Sequence, residues 1–257
     1  MQVNKLTPAR ELAAADAADL YPLWRRIGIN FTGASSTEPI DLESLILATA
    51  SAASTDERLT VCAASWLAQF HDLIDGRRLS ELTRAASLRT RAYLGALLSL
   101  AIEAPDGAGR VPQFDTALSH CRPLRRPQSF YDIANKSAAQ RSWMQLRALP
   151  LYRRWHLWHD EAILQHKSIH SLDQLLKVPE LRARAVLGPS IEASCIAYTQ
   201  ECTTNARSLS RKLGVTYAAT HAAVERLIGR GLLIRTRNGV RQDLRLSDLC
   251  TTVLTST

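Results

Sequence analysis

Apolar residues recur at helical spacing over most of the first two-thirds of the chain. The pattern predicts a first helix over Leu6–Tyr21, with Thr7 as its N-cap and Pro8 in its first turn. Three further helices are predicted to begin behind Asp41, to run from Ser54 to Gly76, and to run from Leu88 to Ile102. The first hundred residues are therefore expected to be almost entirely helical.

The middle of the chain is less regular. Residues 105–130 contain four prolines and few periodic apolar positions, which predicts a long loop or a boundary between two lobes. Helical spacing returns from about Lys136 to Leu149, and a further helix is predicted from Leu151 to about His166. Shorter helices are expected around Leu172–Lys177 and Glu180–Leu187.

The last quarter of the chain has a different order of elements. A helix over Glu192–Glu201 is followed by Asn205, a good N-cap for a second helix that ends at Gly214. Thr216 is placed to cap a third helix, which Gly231 ends. A β-type run from Leu232 to Thr236, the turn dipeptide Asn238-Gly239 and a second run to Leu246 predict a hairpin.

The order of helix, helix, turn, helix and hairpin is that of a winged helix-turn-helix. The segment from Leu209 to Thr216 (LSRKLGVT) resembles the first half of the motif in MarR-like and ArsR-like transcriptional regulators. The segment from Val224 to Leu233 (VERLIGRGLL) resembles the end of their recognition helix and the start of their wing. The resemblance covers about 60 residues and implies double-stranded DNA as the partner.

A recognition helix enters the major groove with its N-terminal residues facing the base edges. On the predicted third helix these residues are Thr216, Tyr217, Ala218, His221 and Ala222. Tyr217 and His221 are the candidates for polar contacts, whereas the two alanines permit close approach.

Phosphate contacts are expected from two other places. Around the second helix the candidates are Arg207, Ser208 and Arg211. At the tip of the hairpin the candidates are Arg237, Asn238 and Arg241, whose arginines could reach phosphates or the minor groove. The alternative for the whole module is a winged helix used only to dock a protein.

The net charge of +8 is unevenly distributed. Residues 190–257 contain nine Lys/Arg against five Asp/Glu, and residues 121–154 contain eight against one. Both segments would attract a polyanion. In the central segment the charge is interleaved with or adjacent to Trp143, Tyr152, Trp155 and Trp158. That segment is therefore either a second nucleic-acid surface or a solvated face paired with the acidic N-terminal half of this chain or a partner subunit.

Candidate catalytic and metal chemistry is sparse. The sequence contains no G-x-S-x-G, Walker A, H-E-x-x-H or G-x-G-x-x-G motif. On one continuous helix, His156, His159, His166 and His170 would share a wedge, and pairs could share an ion, but they span too great a length for a single site. We assign no metal site, no cofactor and no catalytic residue.

The sequence thus predicts a mainly α protein with two parts. Residues 1–189 form a helical domain, with a candidate sub-boundary near residues 105–130, and residues 190–257 form a winged helix-turn-helix. The leading hypothesis is a transcriptional regulator that binds DNA as a homodimer. One alternative is an antitoxin or regulatory subunit of a toxin–antitoxin or phage-defence system, in which residues 1–189 grip a protein partner. The other is an enzyme that acts on nucleic acid.

Cysteine usage and hydropathy bear on where the protein works. The five cysteines show no C-x-x-C pair, which is typical of reduced thiols in a cytosolic protein. No stretch of about 20 apolar residues and no N-terminal signal pattern is present. We therefore expect a cytoplasmic protein with no membrane partner.

Overall fold

The computed structural model describes residues 16–132, 137–201, 203–238 and 241–255. The prediction of a mainly helical protein is confirmed, because helices account for most of these residues. The predicted helix over Leu6–Tyr21 begins outside the described residues, and a helix is described from Ala17 onward. A membrane-spanning helix is absent from the described residues. The described chain forms two compact units, residues 16–36 with 42–170, and residues 37–41 with 171–255.

The described residues of the first unit form eight α-helices and one pair of very short strands. The helices are α1 (Ala17–Arg26), α2 (Leu42–Ala52), α3 (Glu57–Phe70), α4 (Gly76–Ala85), α5 (Leu88–Glu103), α6 (Pro112–His120), α7 (Ala138–Arg147) and α8 (Pro150–Arg153). Two 3-10 turns lie at His71–Leu73 and His166–Ser168. Strands β1 (Gln128–Ser129) and β2 (Leu157–Trp158) pair in parallel.

The centre of the first unit is formed by helices that are apolar on nearly every side. Eleven residues of α5 and ten of α2 are buried, and the two helices pack against each other. A helix that is apolar all round is stable only when other elements surround it. These two helices therefore form the core on which α1, α3 and α4 pack.

Three buried tryptophans connect separate elements of this core through their indole N–H groups. Trp24 donates to the hydroxyl of Thr49 at 2.8 Å, and Trp66 donates to the carbonyl of Ile27 at 2.8 Å. Trp155 donates to the hydroxyl of Ser99 on α5 at 3.0 Å. A buried indole needs such a partner, and here each partner lies on a different element from its donor.

Two predictions of where helices begin and end in the first unit are wrong. Gly76 does not end a helix but begins α4, capped by Asp75, and a side chain at Gly76 would collide with the carbonyl of Gln113. Proline content predicts a loop or a boundary at 105–130, yet α6 forms there because Pro112 occupies the first helical turn, where its missing N–H costs nothing.

The prediction of a helix from Leu151 to His166 is also wrong. The short helix α8 ends at Arg153, and His156 takes a left-handed backbone with φ of 55°. Leu157 and Trp158 then pair with β1, which is far away in sequence. Tertiary pairing has replaced a locally plausible helix.

In the part of the second unit that the structure describes, there are six helices and an antiparallel pair of strands. Its helices are α9 (Leu172–Leu175), α10 (Pro179–Leu187), α11 (Ile191–Glu201), α12 (Ala206–Leu213), α13 (Tyr217–Gly229) and α14 (Asp248–Thr255). Strands β3 (Leu233–Asn238) and β4 (Arg241–Leu246) pair antiparallel, with Leu233 opposite Leu246 and Asn238 opposite Arg241. An additional bridge joins Thr204 to Leu244.

One hydrophobic core holds the second unit together. Its members come from α10 to α14 and from both strands, and include Ala183, Ile196, Leu209, Val224 and Leu244. Segment 37–41 belongs to the same unit, since the Ile40 backbone N–H donates to the Glu180 carboxylate at 2.9 Å. The helix α10 is therefore part of this core and is tied to a segment from much earlier in the chain.

Candidate nucleic-acid interface

Helices α12 and α13 are joined by a tight, well-defined turn. The Asn205 side chain accepts a hydrogen bond from the Ser208 N–H at 2.9 Å and so caps α12. Gly214 ends α12 in the left-handed region with φ of 61°, which suits glycine because it has no Cβ. The Thr216 hydroxyl then accepts from the Ala219 N–H at 3.3 Å. Local hydrogen bonds thus determine where α13 begins.

Helix α13 has one buried face and one exposed face. The buried residues are Thr220, Ala223, Val224 and Leu227. The opposite face exposes Tyr217, Ala218, His221 and Ala222, and the Tyr217 side chain is 53% exposed. All the residues that the sequence places at the base edges, including the capping residue Thr216, are therefore on the surface of the unit.

The exposed face of α13 carries a small polar network. The rings of Tyr217 and His221 lie 5.6 Å apart, and His221 Nε2 is 3.4 Å from the Glu225 carboxylate. Arg235 of β3 forms an ion pair with that same carboxylate. Glu225 therefore orients His221 and neutralises Arg235, and no pattern in the sequence indicates this role.

A second ion pair lies at the end of α13. Arg226 Nε donates to the Glu192 carboxylate of α11 at 2.7 Å. Burial acts to raise the pKa of Glu192, but the hydrogen bond from Arg226 and the charges of Arg226 and Arg230 outweigh it and lower that pKa. Arg226 is thus engaged within the unit, which leaves phosphate contact to other cations.

The phosphate candidates of α12 are on the surface. Arg207 and Arg211 are exposed, and Ser208 is half-buried with its backbone N–H bonded to the Asn205 side chain. The two arginines lie four residues apart on α12 and so share one side of that helix. The structure therefore places two cations side by side on the helix that precedes α13.

The wing candidates lie at the end of the hairpin. Arg237 and Asn238 are the last two residues of β3, and Arg241 is the first of β4. In the register, Asn238 is opposite Arg241 and Arg237 is opposite Gln242. Gly239 and Val240, which connect the strands, are outside the described residues.

The basic segment 121–154 is only partly available for contact. Tyr152 and Trp155 are core residues, so they offer no stacking surface. Arg154 forms an ion pair with Glu103 of α5, which fits the expectation that acidic residues of the N-terminal half meet this charge. Trp143 remains exposed on α7, with the Arg147 guanidinium 5.5 Å from its ring centre.

The histidines considered for a metal site do not lie on one helix. His156 and His159 flank β2, whereas His166 lies in a 3-10 turn, where its ring contacts the Gln69 side chain and the Asp106 carbonyl. Among these four histidines and the described residues, only His159 lies in a cluster of potential ligands, beside the carboxylates of Glu57 and Glu161. Glu57 is 102 residues earlier in the chain, so no sequence spacing indicated this cluster.

Comparison of the chain with protein-family models, with curated proteins and with solved structures gives no match. The functional argument therefore depends on the geometry of the chain itself.

Proposed function

We propose that residues 190–257 form a winged helix-turn-helix and that the protein is a transcriptional regulator, which binds double-stranded DNA as a homodimer in the cytoplasm. The observation that carries the proposal is the solvent-facing side of α13, where Tyr217, Ala218, His221 and Ala222 form a continuous exposed stripe. A helix of this kind has the diameter that fits the major groove of B-DNA.

The topology of the second unit supports this assignment. Three helices, α11 to α13, precede the antiparallel pair β3–β4, and the Thr204–Leu244 bridge joins the segment between α11 and α12 to β4. This order of elements is similar to that of MarR-like and ArsR-like regulators. In such a module α13 is the recognition helix and the hairpin is the wing.

The charges support DNA over a neutral protein surface. Arg226 and Arg235 are paired with glutamates, but Arg207 and Arg211 are exposed on α12, and Arg237 and Arg241 are at the hairpin end. Phosphate contacts from such residues position the protein on the duplex, whereas α13 distinguishes bases. A homodimer follows from the small footprint of one recognition helix, since two-fold symmetry doubles its base contacts.

A second candidate function is an interaction subunit, such as the antitoxin or regulatory partner in a toxin–antitoxin or phage-defence system. The observation that favours it is on α7, where Trp143 and Leu146 are 57% and 72% exposed. Large exposed apolar side chains mark protein contact sites more often than they mark DNA contacts. Residues 1–189 would then hold the partner, and the winged helix would autoregulate or dock.

The DNA-binding proposal is tested by a gel shift of the full chain on a duplex from its own promoter, with salt titration and unrelated competitor DNA. We expect Arg211→Ala to weaken binding to every duplex and to lower the slope of log K against log salt by about one, because one phosphate contact is lost. The same result is expected for Arg237→Ala and Arg241→Ala. Tyr217→Ala should instead reduce the preference for the promoter, by about 5- to 150-fold.

Arg77→Ala is the matched control. Arg77 is 89% exposed on α4 and pairs with Glu81 one turn away, so its loss removes an equal charge from the first unit. The proposal is abandoned when the wild-type chain fails to shift the promoter duplex even at low salt. It is also abandoned when Arg211→Ala, Arg237→Ala and Arg77→Ala all leave the salt slope unchanged.

A further inference from the structure

Three potential metal ligands meet in the first unit although they come from two distant segments of the chain. One ligand atom from each of Glu57, His159 and Glu161 lies within 4.8 Å of the other two. His159 Nε2 is 3.9 Å from the Glu57 carboxylate. Donors on one tetrahedral Zn²⁺ lie about 3.4 Å apart, because each bond is about 2.0–2.2 Å long. A shift of about 1–1.5 Å in the exposed glutamate side chains therefore brings all three donors onto one ion.

The backbone fixes the position from which each ligand side chain extends. Glu57 is the first residue of α3, whose start is set by the Asp56 side chain accepting from the Leu59 N–H at 2.8 Å. His159 follows β2, and its carbonyl accepts from the Leu149 N–H at 2.9 Å. Glu161 is two residues further on. The ligands are thus held by the end of a helix and the end of a strand.

The imidazole of His159 is also held in orientation. It is only 8% exposed, and the rings of Tyr131 and Tyr152 meet it edge to face at 4.9 Å and 5.4 Å. Nε2 is directed toward Glu57. A buried, oriented imidazole next to two solvent-accessible carboxylates is a donor set of nitrogen and oxygen that suits Zn²⁺ and related divalent ions.

The surroundings provide room for an ion. The three residues line a cavity of about 430 Å³, together with Tyr152 and Gln165.

We propose that Glu57, His159 and Glu161 bind one divalent transition-metal ion, with Zn²⁺ preferred over Mg²⁺. Nitrogen ligation disfavours Mg²⁺, which takes oxygen ligands, and Zn²⁺ binds such sites more tightly than Mn²⁺ does. Three protein ligands leave a fourth position open toward the cavity, where a water molecule completes the coordination. This site is independent of the DNA-binding proposal, since it lies wholly in the first unit.

The test is calorimetric titration of the full chain, stripped with EDTA, kept reduced and dialysed, with Zn²⁺, Mn²⁺ and Mg²⁺ in separate runs. The wild-type chain should bind one Zn²⁺ through this site, and Mg²⁺ should bind at least tenfold more weakly. Glu161→Gln and His159→Gln should each lower the Zn²⁺ affinity at least tenfold, because each removes one ligand. Glu161 is exposed, so its replacement leaves the fold intact, which far-UV circular dichroism verifies.

Matched controls separate this site from adventitious binding. Glu81→Gln removes an exposed carboxylate, and His170→Gln removes an exposed imidazole, both outside the cluster. Both should leave the Zn²⁺ affinity unchanged. The proposal is overturned when the wild-type chain binds no Zn²⁺, when Mg²⁺ binds as tightly as Zn²⁺, or when Glu161→Gln binds Zn²⁺ like the two control variants.

Discussion

At the scale of the residue, Gly95 of α5 lies directly against the ring of Trp155. A Cβ at Gly95 would lie 2.7 Å from two atoms of that ring, and the indole is held in place by its hydrogen bond to Ser99, one turn further along α5. The absence of a side chain at Gly95 is thus what lets a large aromatic ring lie flat on a buried helix. A glycine here is a packing requirement, although glycine usually weakens a helix.

Gly95→Ala is therefore expected to lower the free energy of unfolding by about 1–3 kcal/mol, the usual effect of overpacking a core. Gly229→Ala is the control for the chemical change, since it lies at the end of α13 with open space around it. That variant should be neutral or stabilising by up to about 1 kcal/mol, because alanine favours helix. Urea denaturation followed by far-UV circular dichroism measures both, and equal effects would contradict the packing argument.

At the scale of the element, the start of α12 depends on a single side chain. Asn205 accepts the Ser208 N–H, and no other side-chain cap is described for this helix. The helix has only eight residues, so the loss of one satisfied N–H is a large fraction of its local stabilisation. The turn into α13 begins from this helix, which makes the cap relevant to the position of the exposed stripe.

Asn205→Ala should lower the free energy of unfolding by about 1 kcal/mol, the usual effect of removing an N-cap. Asn205→Asp should keep most of the stabilisation that the cap provides, because a carboxylate accepts the same N–H and also interacts favourably with the helix dipole. Thermal or urea denaturation of the two variants against the wild-type chain checks this. An Asp variant as unstable as the Ala variant would show that the cap is not the cause.

Elements of the second unit could be predicted from sequence because their signals are local. Asn205, Gly214 and Thr216 each determine a helix end within three residues of themselves. The region after α8 could not be predicted, since Leu157 and Trp158 pair with a strand about thirty residues upstream and no local pattern records that pairing. The same reason hid the ligand cluster, in which Glu57 and His159 come together only through the fold.

At the scale of the whole molecule, burial of the cysteines is common to both units. Cys62 and Cys121 are buried in the first unit, and Cys195 and Cys250 in the second, and none of these four is in a disulfide. Burial raises the pKa of Cys121 and of Cys195 to about 12. The thiolate is the reactive form, so folded chains should hold these thiols in an unreactive state.

We therefore expect native Cys121 and Cys195 to react with iodoacetamide at least tenfold more slowly at pH 8.5 than in guanidinium chloride. Their pKa values are higher in the folded than in the unfolded chain, so these thiols contribute stability below about pH 9 and lose it as the pH rises toward 12. Alkylation at each site is read by mass spectrometry. Native and denatured rates that coincide at pH 8.5 would contradict the assignment.

The hydrogen bond from Ile40 to Glu180 has a practical consequence for anyone who wishes to isolate the second unit. A fragment that starts at residue 190 would omit α10, and with it Leu181 and Ala183, which are almost completely buried. A fragment that starts at residue 171 would keep α10 but leave the Glu180 carboxylate without the backbone N–H that it accepts. A fragment that is stable by itself would therefore need to begin at residue 171 and also to carry residues 37–41, joined to it through a linker.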